Sequence, residues 1–558
     1  MNINLKKYQS SLLFLPLGGS GEIGMNLNLY QLDGKWIMLD CGIGFADDWL
    51  PGADMVVPNI EFIQQIKKDL LAIIITHAHE DHLGAVQYLW DELGCPIYTT
   101  DFTATFLEIK LRDAGYQQNE IPINRIKSGS NFSVGPFDIE FVEITHSVPE
   151  MNGALIRTKH GNILHTGDWK LDPTPLVGNP SDLNKLKKFG DEGVLAMVSD
   201  STNIFSPGHS GSEGKLAKSL EELVANCSNL VVVTTFASNV ARMHSIAMAG
   251  IKSGRSVVLA GRSLYRMKQA AQNSNYLSDI NFISLEEARR IDRNKLLVIC
   301  TGCQGEALAA TNKLATDNHP QIKLKADDTI IFSSKIIPGN DKKIYRLFNK
   351  FAEKSINVIT EQDHFVHVSG HPNVEDVKEM YEMIRPQISV PVHGETVHIH
   401  EHARLALKWG IPQALKVANG DIIELSHDEG GKVIGQATAG YLALDGNCLL
   451  SPDSDVMKMR RRVRDNGVVI VTLFLDDKRN LLAEPIINGP AILDDKIDAD
   501  VIQELKRDIA KLIKKPNKKK HKSDSVENIV RSVIRQYVKN ELGKNPPIIV
   551  NIARDFVG

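Results

Sequence analysis

Short apolar runs alternate with amphipathic stretches along the chain, the pattern of a mixed α/β protein. Runs that read as buried strands occur at Leu70-Leu71-Ala72-Ile73-Ile74-Ile75, Phe141-Val142-Glu143-Ile144 and Asn162-Ile163-Leu164, and again at 388–392. Between them, runs at 230–235, 257–261, 296–300 and 329–332 are separated by helix-length segments, a spacing that suits a small parallel sheet. Near the N-terminus Met25-Asn26-Leu27-Asn28-Leu29-Tyr30 alternates like a half-buried strand, Asp33-Gly34 marks a hairpin turn, and 36–39 reads as the returning strand. Two further strands are expected near 468–473 and 548–552.

Composition narrows the class. At 558 residues the chain exceeds one hydrophobic core, so two or three domains are expected. Hydrophobic residues make up 42% and charged residues 24%, with a net charge of −4, which excludes a disordered chain. No run approaches the ~20 apolar residues of a membrane span. The basic start at 1–7 precedes an apolar stretch that is short for a signal peptide and continues as a strand, so a cytoplasmic protein is expected. Six cysteines in so long a chain do not make a disulfide framework, and the single CxxC, Cys300 to Cys303, lacks the second pair that a zinc ribbon needs.

Two basic clusters offset the slightly acidic total, and location matters more than sum. Lys458, Arg460, Arg461, Arg462 and Arg464 form one; Lys511, Lys514, Lys515, Lys518, Lys519, Lys520 and Lys522 form the other. Each reads either as a solvated face or as an RNA contact.

The chemistry is carried by Thr76-His77-Ala78-His79-Glu80-Asp81-His82, directly behind the strand at 70–75. HxHxDH places three imidazoles and a carboxylate on one loop, suited to two adjacent ions. Two ions need more donors than this loop holds. His146, Asp168 and His393 each follow a predicted strand, and strand ends on one sheet edge are where α/β proteins build sites.

This ordered set resembles the metallo-β-lactamase fold in its β-CASP nuclease branch. Cys300-Thr301-Gly302-Cys303-Gln304-Gly305-Glu306, Ser333 to Asn340, His367-Val368-Ser369-Gly370-His371 and Pro391-Val392-His393-Gly394-Glu395 are similar to the bacterial ribonuclease J family, from about Leu15 onward. Cys303 stands where a small hydroxyl residue is expected, and Lys335 makes its loop more basic than is usual. The resemblance implies an αββα sandwich with an inserted β-CASP domain and a small C-terminal α/β domain. Its expected divisions are 1–202 and 363–445 for the sandwich, 203–362 for the insertion, 446–464 for a linker and 465–558 for the tail, whose family role is dimerisation.

The same resemblance implies two zinc ions per chain. His77, His79 and His146 would hold one, Asp81, His82 and His393 the other, with Asp168 bridging. Asp40 would orient a histidine of the site from behind. His371 would assist the leaving oxygen, supported by Asp200. His367, Val368, Ser369, Gly370, Ser333 and Ser334 would form a pocket for a 5′-monophosphate, and Ser238, Asn239 and Arg262 would line the RNA path, with Phe45 stacking on a base. The activity implied is 5′→3′ exonucleolytic and endonucleolytic cleavage of single-stranded RNA in RNA processing and decay, by a homodimer or homotetramer with no membrane association. A DNA-processing β-CASP nuclease, a small-molecule metallohydrolase and a non-catalytic RNA-binding subunit are the alternatives. Histidine at 393 favours RNA over DNA, the inserted domain disfavours the small-molecule enzyme, and the complete ligand set disfavours the inactive subunit.

Three motifs compete. Gly19-Ser20-Gly21-Glu22-Ile23-Gly24 matches the dinucleotide fingerprint with Asp40 downstream, but a strand rather than a helix is expected next. In 208–215 His209 replaces the first P-loop glycine and Leu216 the magnesium-binding hydroxyl. His398, His400 and His402 lie on an expected surface helix with no carboxylate partner.

Overall fold

The computed structural model describes residues 4–514 and 525–554. The chain forms two compact units, one from the segment up to Gly44 plus Val57–Gly440, the other from Phe45–Val56 plus Tyr441 onward.

In the first unit two sheets face each other. One runs in the order Gly430–Gln436, Asp421–Ser426, Leu12–Gly18, Leu27–Leu32, Lys35–Leu39, Leu70–Ile74, Ile97–Thr99 and Ile123–Arg125. The other runs Asn131–Val134, Phe137–Glu143, Asn152–Arg157, Ile163–His165, Ala196–Asp200, Ile388–Val392 and Gln413–Ala414. Phe14, Tyr30, Leu39, Ile74, Phe141, Ile156, Val198, Val390 and Ile423 are buried between them. Burying one such large side chain contributes about 1.5–3 kcal/mol, so this layer fixes how the sheets align. Helices Leu183–Asp191, Val374–Ile384 and Thr396–Lys408 cover the second sheet through Leu186, Phe189, Met380, Tyr381 and Leu405. Strands Ile163–His165, Ala196–Asp200 and Ile388–Val392 are mutually parallel, so their C-terminal ends share one edge.

The chain between Ala196–Asp200 and Ile388–Val392 carries a third, all-parallel sheet in the order Phe282–Ile283, Ser256–Ala260, Leu296–Cys300, Val231–Thr234, Thr329–Phe332 and Asn357–Ile359. Its central strands are apolar on both faces, as parallel strands between helices must be. The glycine-rich stretch at 19–24 leads into strand Leu27–Leu32, which pairs antiparallel with Leu12–Gly18, so no dinucleotide-binding turn forms.

In the second unit the antiparallel strand Ile486–Asn488 and the parallel strand Ile548–Arg554 flank Val469–Leu475. Helices Ala499–Lys514 and Val526–Leu542 supply Leu505, Ile509, Ile534 and Val538 to its core. The stretch expected to be a linker, 446–464, is ordered structure instead: it holds strand Cys448–Leu450 and most of helix Asp455–Asn466, capped by Ser454. Two of its arginines are matched to acceptors. Arg460 pairs with both oxygens of Asp445 at 2.8 and 2.7 Å, and Arg461 donates to the Pro452 carbonyl at 3.0 Å while stacking 4.5 Å above the Trp49 ring. Of the second basic cluster, Lys511 lies near Asp508 at 3.5 Å, whereas Lys515 to Lys522 fall outside the described residues.

Candidate metal centre

Strand Leu70–Ile74 ends at the sandwich edge, and the chain turns through Thr76–His79 into the one-turn helix Glu80–Leu83. His146 follows strand Phe137–Glu143, Asp168 follows Ile163–His165, and His393 follows Ile388–Val392. Seven side chains thereby meet in two sets. His77, His79, His146 and Asp168 form one, and Asp81, His82, Asp168 and His393 the other, each with one donor atom per residue within 4.8 Å of the rest. Asp168 belongs to both.

Most of these side chains are buried, and hydrogen bonds fix which nitrogen faces inward. His77 Nδ1 lies 2.9 Å from Thr76 Oγ1, which is in turn bound to the Asp40 carboxylate at 3.0 Å. His82 Nδ1 donates to Asp40 Oδ2 at 2.7 Å, and His146 Nδ1 donates to the Gly370 carbonyl at 2.6 Å. His79 Nε2 lies 3.2 Å from Ser147 Oγ. Each ring has one nitrogen held from outside and the other turned into the set, the arrangement of metal-ligating histidines.

The inward atoms fit a cation. His77 Nε2 and both Asp168 oxygens lack a hydrogen-bond partner, although Asp168 Oδ2 comes within 3.1 Å of His82 Nε2. His146 Nε2, left with its lone pair because Nδ1 donates to Gly370, lies 3.1 Å from His79 Nδ1. Such orphaned groups each cost about 1–3 kcal/mol unless something positive lies between them. Burial, reinforced by neighbouring imidazoles, holds His77 and His146 well below the usual histidine range and His79 at about 4, the neutral form that ligates. For His82 burial pulls downward, but Asp168, Asp40 and Asp81 outweigh it. For Asp168 burial pushes upward and is outweighed by His393, His82 and His371, so it is ionised.

Beside the sets, His371 Nδ1 lies 2.8 Å from Asp200 Oδ2. Burial opposes its charge, yet Asp200 and Asp168 raise it to about 9, making an imidazolium at neutral pH. Gly370 packs against His146: a Cβ there would stand 2.8 Å from His146 Cε1. Gly370→Ala is therefore expected to push His146 out of place and weaken metal uptake by roughly 10–100-fold, measured as ions per chain in the purified, folded variant.

The expected phosphate pocket is only partly available. Ser369 Oγ accepts from Asn203 Nδ2 at 2.7 Å and from the His371 N–H at 3.0 Å, which leaves its proton free for an incoming acceptor. Ser333 does not serve as expected: its hydroxyl donates to the Val366 carbonyl at 2.7 Å and accepts from Arg242 at 2.9 Å, so the proton is already used. Ser334 is buried and hydrogen-bonded with the Cys303 thiol. Ser238 and Asn239 follow strand Val231–Thr234 and Arg262 follows Ser256–Ala260, on the C-terminal side of the parallel sheet. Asn239 caps helix Val240–Lys252 through its side-chain oxygen, and Arg262 is exposed. Phe45 is 85% exposed and belongs to the second unit.

Sequence reasoning missed the groups that hold these motifs in place. Arg242 is completely buried, pairs with Glu213 at 2.8 Å, and donates to the carbonyls of Ser333 at 3.0 Å and Val368 at 3.2 Å. An arginine on the apolar face of a helix was the available signal, since a charge placed there must find a partner. His402 is also buried rather than on a surface helix: Ser201 and Tyr381 bond its two nitrogens at 2.9 Å each, and burial lowers it to about 4. Burial raises the Cys300 and Cys303 thiols to about 11 and 12, and neither belongs to a candidate metal set among the described residues.

Family profiles match along most of the chain. Residues 25–226 match the metallo-beta-lactamase superfamily, 228–351 the ribonuclease J beta-CASP domain, 355–412 the Zn-dependent metallo-hydrolase RNA specificity domain, and 455–554 the ribonuclease J C-terminal domain. Ribonuclease J of Sinorhizobium meliloti is 42% identical over 479 residues, covering 85% of each chain. Ribonuclease J of Helicobacter pylori strain 26695 is 34% identical over 93% of this chain and 75% of its own, and that of Thermus thermophilus is 33% identical over 83% and 82%. A crystal structure of a protein of unknown function from Enterococcus faecalis V583 shares the fold with a TM-score of 0.52 at 18% identity, over 74% of this chain and 100% of that one.

Proposed function

Because the chain belongs to the ribonuclease J family and is thus a metal-dependent hydrolytic ribonuclease, we propose that it holds two zinc ions and degrades RNA from 5′-monophosphorylated ends in the 5′→3′ direction, with endonucleolytic cleavage as a second activity. The observation that carries the two-ion reading is Asp168, ionised and common to two sets of four donors. In this reading His77, His79 and His146 would hold one ion, Asp81, His82 and His393 the other, and Asp168 would serve both. Ions held in this way lower the pKa of water toward ~7 and absorb the charge that builds on phosphorus.

The remaining steps fall to the chain's own groups. Asp40 binds Thr76 and His82 from behind, which turns Nε2 of His77 and Nε2 of His82 inward, the latter 3.0 Å from Asn26 Nδ2. His371, charged and anchored at Nδ1 by Asp200, protonates the leaving oxygen. Ser369 Oγ–H, with the backbone N–H groups of 367–370, receives the terminal phosphate. Arg242 supports that loop by occupying the Val368 carbonyl on its other side. Ser238, Asn239 and Arg262 border the path of a single strand, and the reading puts the work in the cytoplasm, where transcripts are processed and decay. RNA end-labelled with 5′-monophosphate, 5′-triphosphate or 5′-hydroxyl, beside a matched DNA, tests it. Stepwise release is expected to be fastest from the monophosphate and negligible from DNA; equal rates on all three RNA ends contradict end recognition.

We further propose that the protein works as a homodimer or homotetramer joined through its C-terminal unit. Strand Ile548–Arg554 is at a sheet edge, paired on one side among the described residues, with Ile549 and Ile552 46% and 37% exposed. An open edge of this length is a template for a second copy. A chain ending at Gly467, which keeps helix Asp455–Asn466, is expected to sediment as a smaller species and retain its metal. An unchanged oligomer places the interface elsewhere.

A further inference from the structure

Resting on the two-ion reading, we infer that Asn26 is a positioning residue for the second ion set: its amide locks His393 in the tautomer that offers Nε2 and ties it to the loop that carries Asp81 and His82. Asn26 is 3% exposed. Its backbone N–H donates to the Asp81 carbonyl at 2.9 Å, and its side-chain Nδ2 donates to the same carbonyl at 3.1 Å. A carbonyl oxygen can only accept, so the orientation of the amide is fixed by this pair. Asn26 Oδ1 therefore faces His393 Nδ1, 2.9 Å away, and must accept from it. The proton of His393 is consequently on Nδ1, and Nε2 is left with its lone pair, 3.8 Å from Asp81 Oδ2.

The same amide spans two parts of the chain 367 residues apart. His393 has a φ of +50°, a left-handed conformation that a histidine adopts only when its surroundings hold it there. Two contacts do so: its N–H donates to the Gly19 carbonyl at 2.6 Å, and its ring donates to Asn26. Gly19, at φ +83°, leaves room for this, since a Cβ there would stand 2.4 Å from Asn26 Oδ1. The glycine-rich stretch at 19–24, which imitates a dinucleotide fingerprint, thus serves the metal edge. Removing such outer hydrogen bonds typically lowers metal affinity 10–100-fold, and here the loss is confined to one of two ions.

The test is a titration of metal-free protein with zinc against a chromophoric chelator, resolving two affinities, on wild type, Asn26→Ala and Asn26→Asp. Asn26→Ala is expected to weaken one site by roughly 10–100-fold and leave the other within about two-fold. Asn26→Asp, which keeps an acceptor for His393, is expected to stay within about ten-fold at both. Far-UV circular dichroism and the unfolding midpoint of the metal-free forms establish that the fold is kept. Should Asn26→Ala not fold, Asn26→Ser replaces it, and the same one-site loss is required. Wild-type affinity at both sites, or equal weakening of both, overturns the role of Asn26 while the two-ion reading stands. A wild-type protein that takes up fewer than two ions overturns that reading, and this inference with it.

Discussion

Asp81→Ala protein is expected to fold as the wild type does and to cleave RNA at least roughly 10³-fold more slowly, the loss of several kcal/mol of transition-state stabilisation that a metal pair supplies. Its side chain is 30% exposed and lies 3.6 Å from His82 and 3.8 Å from His393, so the fold does not lean on it. His77→Ala is expected to be equally inactive for the other set, although His77 is fully buried and its loss will also lower stability. Cleavage rates, metal content and the unfolding midpoint of both variants check this. Near-normal cleavage by either variant would remove its set from the reaction.

The second large effect separates end recognition from chemistry. Ser369→Ala removes a hydroxyl whose proton is not otherwise used, which costs about 1–3 kcal/mol against a charged acceptor. Degradation from a 5′-monophosphate should fall by roughly ten-fold or more, at 1.4 kcal/mol per decade, while cleavage within a long RNA with a blocked 5′ end should change little. His371→Ala should depress both activities by roughly 10²–10⁴-fold, because a proton for the leaving oxygen is needed at any scissile bond. Four rates, two variants on two substrates, decide the matter. Equal impairment of Ser369→Ala on both substrates would exclude a dedicated end pocket at this motif.

The convergence of these seven donors was legible because their signals are short and contiguous. HxHxDH behind an apolar strand fixes four donors at once, and His146, Asp168 and His393 each close a strand whose burial shows in its composition. The parallel sheet was legible for the same reason. What was not legible is whether a polar group is already engaged. Ser333 looked like a phosphate donor, but Val366 and Arg242, 33 and 91 residues away, claim its hydroxyl. The stretch 446–464, rich in Asp, Pro, Ser and Arg, read as a linker, yet Asp445, Pro452 and Trp49 engage Arg460 and Arg461 within it. Asn26 gave no local signal at all: an asparagine on an alternating strand is ordinary until His393 arrives beside it. Local propensity and motif spacing report what a residue can do; long-range hydrogen bonds decide what it does.

Zinc titrated into metal-free protein, with cleavage of a 5′-monophosphorylated RNA followed at each addition, tests the central claim most directly. Cleavage should be absent in the metal-free protein and reach its maximum only as the ions bound approach two per chain. Full cleavage without metal, or a maximum reached at one ion per chain, would contradict a reaction carried by the two donor sets that share Asp168.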